Sequence, residues 1–348
     1  MFRLLAALAL LAVASPAFAE DKPREIPPKE AANGTLMMFD GVTTFGWKVE
    51  GDVAIKGGWM IVGGEKATTI TSTSTICAGF VMLQVEYPDN LAKGKEPRVT
   101  LNAKHTDKVP INGGLGGYAL DPDLPTQIRL TVPAGTTVKV GDVFLGPATK
   151  GKLLFTGKNL DGWKINAADP KRAASKWEVT KDGELSVKNG PGDLVTEKEF
   201  DNFVLQFECK TLGKALNSGF FFRCIPGQYQ NGYEAQIQNA YKDDDRTKPA
   251  DFGTGAIYRR IASRKVVSND NEWFTMTVVA DGKHIATWVN GYQTVDWLDD
   301  RKESENPRTG YRAAKGPISI QGHDPTTDIL FRNIRIAELQ SEKKEKKD

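Results

Sequence analysis

The stretch Gly232-Tyr233-Glu234-Ala235-Gln236-Ile237-Gln238-Asn239 alternates apolar and polar side chains, the pattern of a half-buried strand. In that register Glu234, Gln236 and Gln238 share one face, and a strand with one acid and two amides suits the wall of a wet groove. Three further segments offer comparable faces. Asn217-Ser218-Gly219-Phe220-Phe221-Phe222-Arg223 sets Arg223 in phase with Asn217; Gly316 to Asp324 sets Ser319, Gln321 and His323 on one side; and Thr254-Gly255-Ala256-Ile257-Tyr258 reads as a strand ending on Tyr258. If these faces share a sheet, they form a hollow bearing Asn217, Arg223, Glu234, Gln236, Tyr258, Gln321 and His323. Amides and a guanidinium hydrogen-bond hydroxyl groups, and aromatic rings cover the apolar faces of pyranoses, so the mixture suits a sugar.

Each group also has a plainer use. Arg223 and Glu234 could form a structural ion pair, and His323, next to Gly322, could cap a turn. His284 sits mid-strand among apolar residues and reads as structural, and His105 has no evident partner. The loop from Tyr241 to Pro249 carries Asp243-Asp244-Asp245. Oxygen ligands there could meet a divalent cation, but the spacing of a calcium loop is missing and a solvated acidic turn is the better reading. No cofactor is expected. Zinc-type Cys/His spacing, a glycine-rich phosphate loop and a G-x-S-x-G elbow are all absent from the sequence.

The elements that must position these residues are strands. Nearly every apolar run is short, β-branched or aromatic, and bounded by Gly, Asp, Asn or Pro. Asp182-Gly183, Asp281-Gly282 and Asn290-Gly291 mark hairpin turns, with Lys283 to Asn290 as a strand between the last two. A weak internal repeat organises them. Leu36-Met37-Met38-Phe39-Asp40-Gly41 through Gly46-Trp47 lines up with Leu153-Leu154-Phe155-Thr156-Gly157 through Gly162-Trp163, and Val140 to Leu145 resembles Phe331 to Ile336. Two copies of one β-sandwich fit. The first, about 34–148, is shorter and lacks the polar strands, so no activity is assigned to it; the second spans about 150–340.

In a chain of 348 residues, 46 Lys and Arg nearly balance 44 Asp and Glu, so no nucleic-acid partner is indicated. Met1 to Ala19 has the layout of a secretory signal peptide: Arg3, an apolar core from Leu4 to Val13, and Ala17-Phe18-Ala19 as the cleavage site. That core is too short to span a bilayer, and the expected product is exported, periplasmic or secreted. Residues 20–33 read as a linker and 341–348 as a charged, frayed tail. Cys77, Cys209 and Cys224 allow at most one disulfide within the chain; their pairing is open, with buried free thiols slightly favoured.

Seven short motifs occur in order between Leu153 and Leu339. They are Leu154-Phe155-x-Gly157-x4-Gly162-Trp163, Asn217-Ser218-Gly219-x3-Arg223, Tyr233-Glu234-x-Gln236-Ile237, Thr254 to Tyr258, Val289-Asn290-Gly291, Gly316 to His323 and Phe331 to Ile336. This half resembles the 3-keto-disaccharide hydrolase domain. The resemblance implies a concanavalin A-like, laminarinase-like jelly roll and a sugar already oxidised to a ketone at C3. A C3 ketone acidifies the C2 proton, so one base can start an elimination that expels the C1 oxygen, and water added afterwards completes a net hydrolysis. That route needs a base and donors to the enolate, not two carboxylates flanking C1. Glu234 or His323 is the expected base, Arg223 and Gln321 the expected donors, and Tyr258 the expected acid to the leaving oxygen, with Asn217 and Gln236 contacting substrate. The alternatives are a lectin-like binding protein and a purely structural envelope protein, because fold does not fix function.

Overall fold

The computed structural model describes residues 24–102, 105–108, 115–121, 125–146, 151–167 and 169–339; the signal-peptide reading and the charged tail lie outside them. The protein is all-β. In the carboxy-terminal half an eight-stranded antiparallel sheet is built on Asp328–Glu338, Phe203–Thr211, Phe274–Asp281 and His284–Val289. A five-stranded sheet, in the order Trp163–Ile165, Gly192–Phe200, Gly316–Gly322, Ser218–Phe222 and Tyr233–Ile237, packs against it. Between them lie Leu205, Phe207, Met276 and Val278 from the first sheet and Leu194, Phe220, Ala235 and Ile320 from the second. The result is the expected jelly-roll sandwich.

The hairpins follow from turn chemistry. Val289 pairs with Tyr292 across Asn290-Gly291, and these two residues have φ of 48° and 74°, the pair of left-handed residues that matches the twist of the flanking strands. The repeat is visible at the level of single bonds. The indole of Trp47 donates to the Met38 carbonyl and that of Trp163 to the Leu154 carbonyl, each at 2.6 Å and nine residues back. Glycines at matched places, Gly41 with Gly157 and Gly46 with Gly162, all have φ between 76° and 83°.

The amino-terminal half has its own six-stranded and five-stranded sheets. Its core continues into the outer face of the eight-stranded sheet, where Val204, Val279, Ala286 and Trp288 join Leu36, Met38, Val143 and Leu145 in one cluster. The Trp288 indole donates to the Met37 carbonyl at 3.2 Å, and the Met37 amide donates to Gly291 at 2.9 Å. The shorter half therefore covers an apolar face of its neighbour.

Two expectations are corrected. The described part of the stretch expected as a linker, residues 24–33, is packed: Pro28–Ala32 is a short helix, Ile26 and Ala31 are buried, and Arg24 pairs with Asp142. Proline at the first helical position needs no intrahelical donor, which favours the helix start there. Thr254 to Tyr258 is not a strand but a series of turns with an isolated bridge from Ala235 to Ile257. Gly253 and Gly255, at φ 78° and 86°, bend the chain twice within three residues, conformations open to glycine and closed to an extended ladder. The Asp243–Asp245 loop is the tip of a small ribbon, Tyr241–Lys242 with Asp245–Pro249. Lys248 lies 3.2 Å from Asp243 and 3.7 Å from Asp245, and Asp245 caps Thr247. All three cysteines are free and buried.

Truncating Trp288 to alanine removes the side chain that joins both halves. The expected loss is about 3–5 kcal/mol, read from urea denaturation, and a loss below about 1 kcal/mol would contradict the shared core.

Candidate functional site

The five-stranded sheet buries one face against the core; its other, outer face lies under loops, so that Ser218–Phe222, Tyr233–Ile237 and Gly316–Gly322 are buried at every position. Strand register places Ser319, Phe221 and Glu234 in one row across that outer face, because Phe221 pairs with both Ser319 and Glu234. The next row holds Asp193 opposite Gln321 and Gly219 opposite Gln236. Loops at Ile225–Asn231, Ala250–Ile261 and Asp300–Arg312 rim it. Non-glycine residues with positive φ gather on this rim, at Gln230 (45°), Asp251 (42°), Phe252 (70°) and Arg259 (58°); such conformations cost energy and persist where surroundings impose them.

Glu234 is the central group. Its residue is 7 % exposed, and no described residue donates a hydrogen bond to its carboxylate. The carboxylate leans over Gly219: a Cβ there would lie 2.5 Å from Oε1 and 2.8 Å from Cγ, so glycine is what makes room for it. Burial, with Asp251 adding like charge, pushes the Glu234 carboxyl up to about 8, against the pull of Arg308 and Arg259. A carboxylic acid titrating there can exchange a proton near neutral pH.

Around it the amides form short chains. Gln236 Nε2 donates to the Asp251 carbonyl at 3.2 Å, and Asn217 Nδ2 to Asp251 Oδ2 at 3.0 Å. Gln321 Nε2 donates to Gln230 Oε1 at 2.9 Å, and Gln230 Nε2 to the Tyr229 hydroxyl at 2.6 Å. Arg308 holds the Gln230 carbonyl at 2.8 Å. Tyr258 is tied to the site by its backbone, its amide donating to the Glu234 carbonyl at 2.9 Å, while its ring lies edge-on to Phe252 at 5.2 Å. The oxygens of Gln236 (Oε1), Gln321 (Oε1) and Asn231 (Oδ1) are buried without a donor.

Five of the seven expected residues thus lie on this face or its rim: Glu234, Gln236, Gln321, Asn217 and Tyr258. Arg223 does not. With φ 49° its side chain leaves the strand alternation and is fully buried. It donates to the carbonyls of Asp201 at 2.9 Å and Gly282 at 2.8 Å and to Asn202 Oδ1 at 3.0 Å, so it ties two turns together and makes no ion pair with Glu234. His323 lies just past the end of its strand, exposed, with Nδ1 2.7 Å from Asp324 Oδ2. By strand register it is two residues beyond Gln321, which lies one strand across from Gly219, the residue under the Glu234 carboxylate. His284 pairs with Asp296 at 2.6 Å on the other sheet. The side chain of His105 falls outside the described residues.

Sequence reasoning missed Asp193, Tyr229, Gln230 and Arg308. Asp193 alternates with Leu194, a usable signal, but its place beside Gln321 depends on a pairing across more than a hundred residues.

A family model described as "3-keto-alpha-glucoside-1,2-lyase-like domain" matches residues 150–337, over half the chain. The chain belongs to this family. The lyase-like domain coincides with the two sheets that build the site. Among solved structures, two candidate glycosyl hydrolases of Parabacteroides distasonis align with 55 % of the chain. One has 25 % identity, a TM-score of 0.45 and 95 % of its own length covered, the other 28 %, 0.42 and 100 %. The carbohydrate-binding module CBM66 of Bacillus subtilis aligns over 51 % of this chain and 96 % of its own at 16 % identity, with a TM-score of 0.36. No curated protein matches the chain. Among the described residues no helix is long and apolar enough to cross a membrane, and no cluster of three or more His, Cys, Asp or Glu is placed to hold a metal ion.

The raised carboxyl of Glu234 in the lyase-like domain makes a stability prediction with a definite sign. Unfolded, this acid loses its proton near 4.5; folded, near 8. Between those values the folded chain holds the extra proton, so this group makes stability fall as pH rises through the window. Glu234→Gln should therefore raise the melting temperature at pH 8 more than at pH 5; an equal change at both would remove the buried-acid assignment.

Proposed function

We propose that the outer face of the five-stranded sheet cleaves the glycosidic bond of a 3-keto-α-glucoside, with Glu234 as the base that takes the C2 proton. The observation that carries this reading is a single buried carboxyl without a hydrogen-bond donor, set over Gly219 and titrating near neutral pH. The family's description, a lyase acting across positions 1 and 2 of a 3-keto-α-glucoside, supports it. The C2–H electron pair moves into an enolate on the C3 ketone. As the carbonyl re-forms, the C1–C2 double bond forms and the C1–O bond breaks, and the departing oxygen takes a proton from Tyr258, which Glu234 restores. Water added across the new double bond completes a net hydrolysis. Gln236, Gln321 and Asn217 contact the sugar hydroxyls in this scheme. A base so placed contributes about two to four orders of magnitude in rate.

In this reading residues 150–340 form the catalytic unit, residues 34–148 are a non-catalytic cover, and the signal-like start directs the protein to the periplasm or beyond. His323, exposed and paired with Asp324, stays outside the chemistry in this scheme.

On a 3-keto-α-glucoside, Glu234→Gln should lose about 100-fold to 10,000-fold in release of the aglycone, while His323→Ala stays within about threefold of the native rate. A reversed pattern would move the base to His323. Tight binding of the sugar by the native protein with no product at all would leave a lectin-like protein instead.

A further inference from the structure

Resting on Glu234 as the base, we propose that Asp193, as a neutral carboxylic acid, and the Tyr229 hydroxyl are the pair of donors that hold the C3 oxygen of the substrate while it carries the enolate charge. The two Asp193 oxygens are unequal. Oδ2 accepts from Ser319 Oγ at 2.8 Å and from Asn166 Nδ2 at 3.4 Å, and the backbone amide of Gln230 also acts on this carboxylate, whereas Oδ1 is buried and takes no bond of hydrogen-bond geometry. Donors crowd one oxygen, so a proton on this carboxyl belongs on the other. At 1 % exposure burial pushes the Asp193 carboxyl up, against the bonds from Ser319 and Asn166, which favours the neutral form.

Tyr229 is left with a spare hydrogen in the same way. Its oxygen accepts from Gln230 Nε2, whose own amide oxygen is occupied by Gln321. The orientation of that chain leaves the Tyr229 hydrogen pointing onward. Burial, the largest cause, pushes the phenol up to about 12, so it stays a donor across the working range.

The two sides of the site face each other. Glu234 leans over Gly219, whose strand adjoins that of Gln321, and Gln321 pairs with Asp193. The strands of Glu234 and Asp193 are three spacings apart, but from Gly219, under the Glu234 carboxylate, to Asp193 is two, about 10 Å. Base on one side and neutral donors on the other is the division of labour that proton abstraction next to a ketone requires. No proton leaves Asp193 or Tyr229 in the step; the charge on the ketone oxygen is met by hydrogen bonds and returns to the ring as the C1–O bond breaks.

The test follows deuterium uptake at C2 of a 3-keto-α-glucoside in heavy water, beside aglycone release from alkyl and nitrophenyl glycosides. Asp193→Ala and Tyr229→Phe should each slow C2 exchange about 100-fold, and slow release equally for both leaving groups. Asp193→Asn, which keeps a donor, should stay within about tenfold. Native exchange rates in Asp193→Ala and Tyr229→Phe, or a loss confined to the alkyl glycosides, would overturn the pairing, as would an Asp193→Asn as slow as Asp193→Ala. If Asp193→Ala fails to fold, Asp193→Asn and Tyr229→Phe decide alone. Failure of the Glu234 reading looks different: Glu234→Gln then exchanges C2 at the native rate while the donor variants remain slow.

Discussion

The central strands of the eight-stranded sheet, Phe203–Thr211, Phe274–Asp281 and His284–Val289, are buried on both faces, and the rest of the molecule follows from that constraint. One face, with Leu205, Phe207, Met276 and Val278, meets the five-stranded sheet; the other, with Val204, Val279, Ala286 and Trp288, meets the amino-terminal half. A strand buried on both sides loses the alternation of polar and apolar residues, and Phe274–Asp281 is accordingly buried at every position but the last. With that layer sealed, the outer face of the five-stranded sheet is where the lyase-like domain can present polar chemistry. The sheet behind it is rigid, which suits groups that must be held in place through a reaction.

The features legible in the sequence were those set by local chemistry. Asn290-Gly291 announces its turn because only residues tolerant of positive φ fit there, and the Phe-x-Gly to Gly-Trp repeat is legible because each indole reaches a carbonyl nine residues back. The face shared by Glu234 and Gln236 was legible from period-two alternation, since both residues sit in one regular strand. Alternation failed where the backbone left the strand. Arg223 is one residue past Ser218–Phe222 and left-handed, so counting by twos assigned it to the wrong side. His323 is one residue past Gly316–Gly322, and Thr254 to Tyr258 carries two glycines that turn the chain. Asp193 was hidden for another reason: nothing local says that Gly192–Phe200 lies beside Gly316–Gly322, a pairing set by the packing of the whole sandwich.

How the protein treats its other acids gives the site its meaning. Asp299 is fully buried, and it receives two hydrogen bonds from the Arg301 guanidinium, at 2.7 and 2.8 Å, and one from the Tyr233 hydroxyl at 2.7 Å. Glu208 is clasped by Arg332 and Asn333. Asp270 collects the Thr211 hydroxyl, the Ala215 amide and the Asn239 side chain. These carboxylates obey the rule that buried charge is paired. Glu234 breaks it on the same scaffold, with Arg308 and Arg259 close enough to be felt and neither bonded to it. A fold that satisfies its structural acids so fully has no structural use for an unsatisfied one, and departures of this kind belong at functional sites. Asp193 Oδ1, in the neighbouring row of the same face, is also buried without a partner, as is Asp328 Oδ1 on the other sheet. Under the proposed reaction one substrate accounts for both acids of this face, giving a proton to Glu234 and leaning its charge on Asp193.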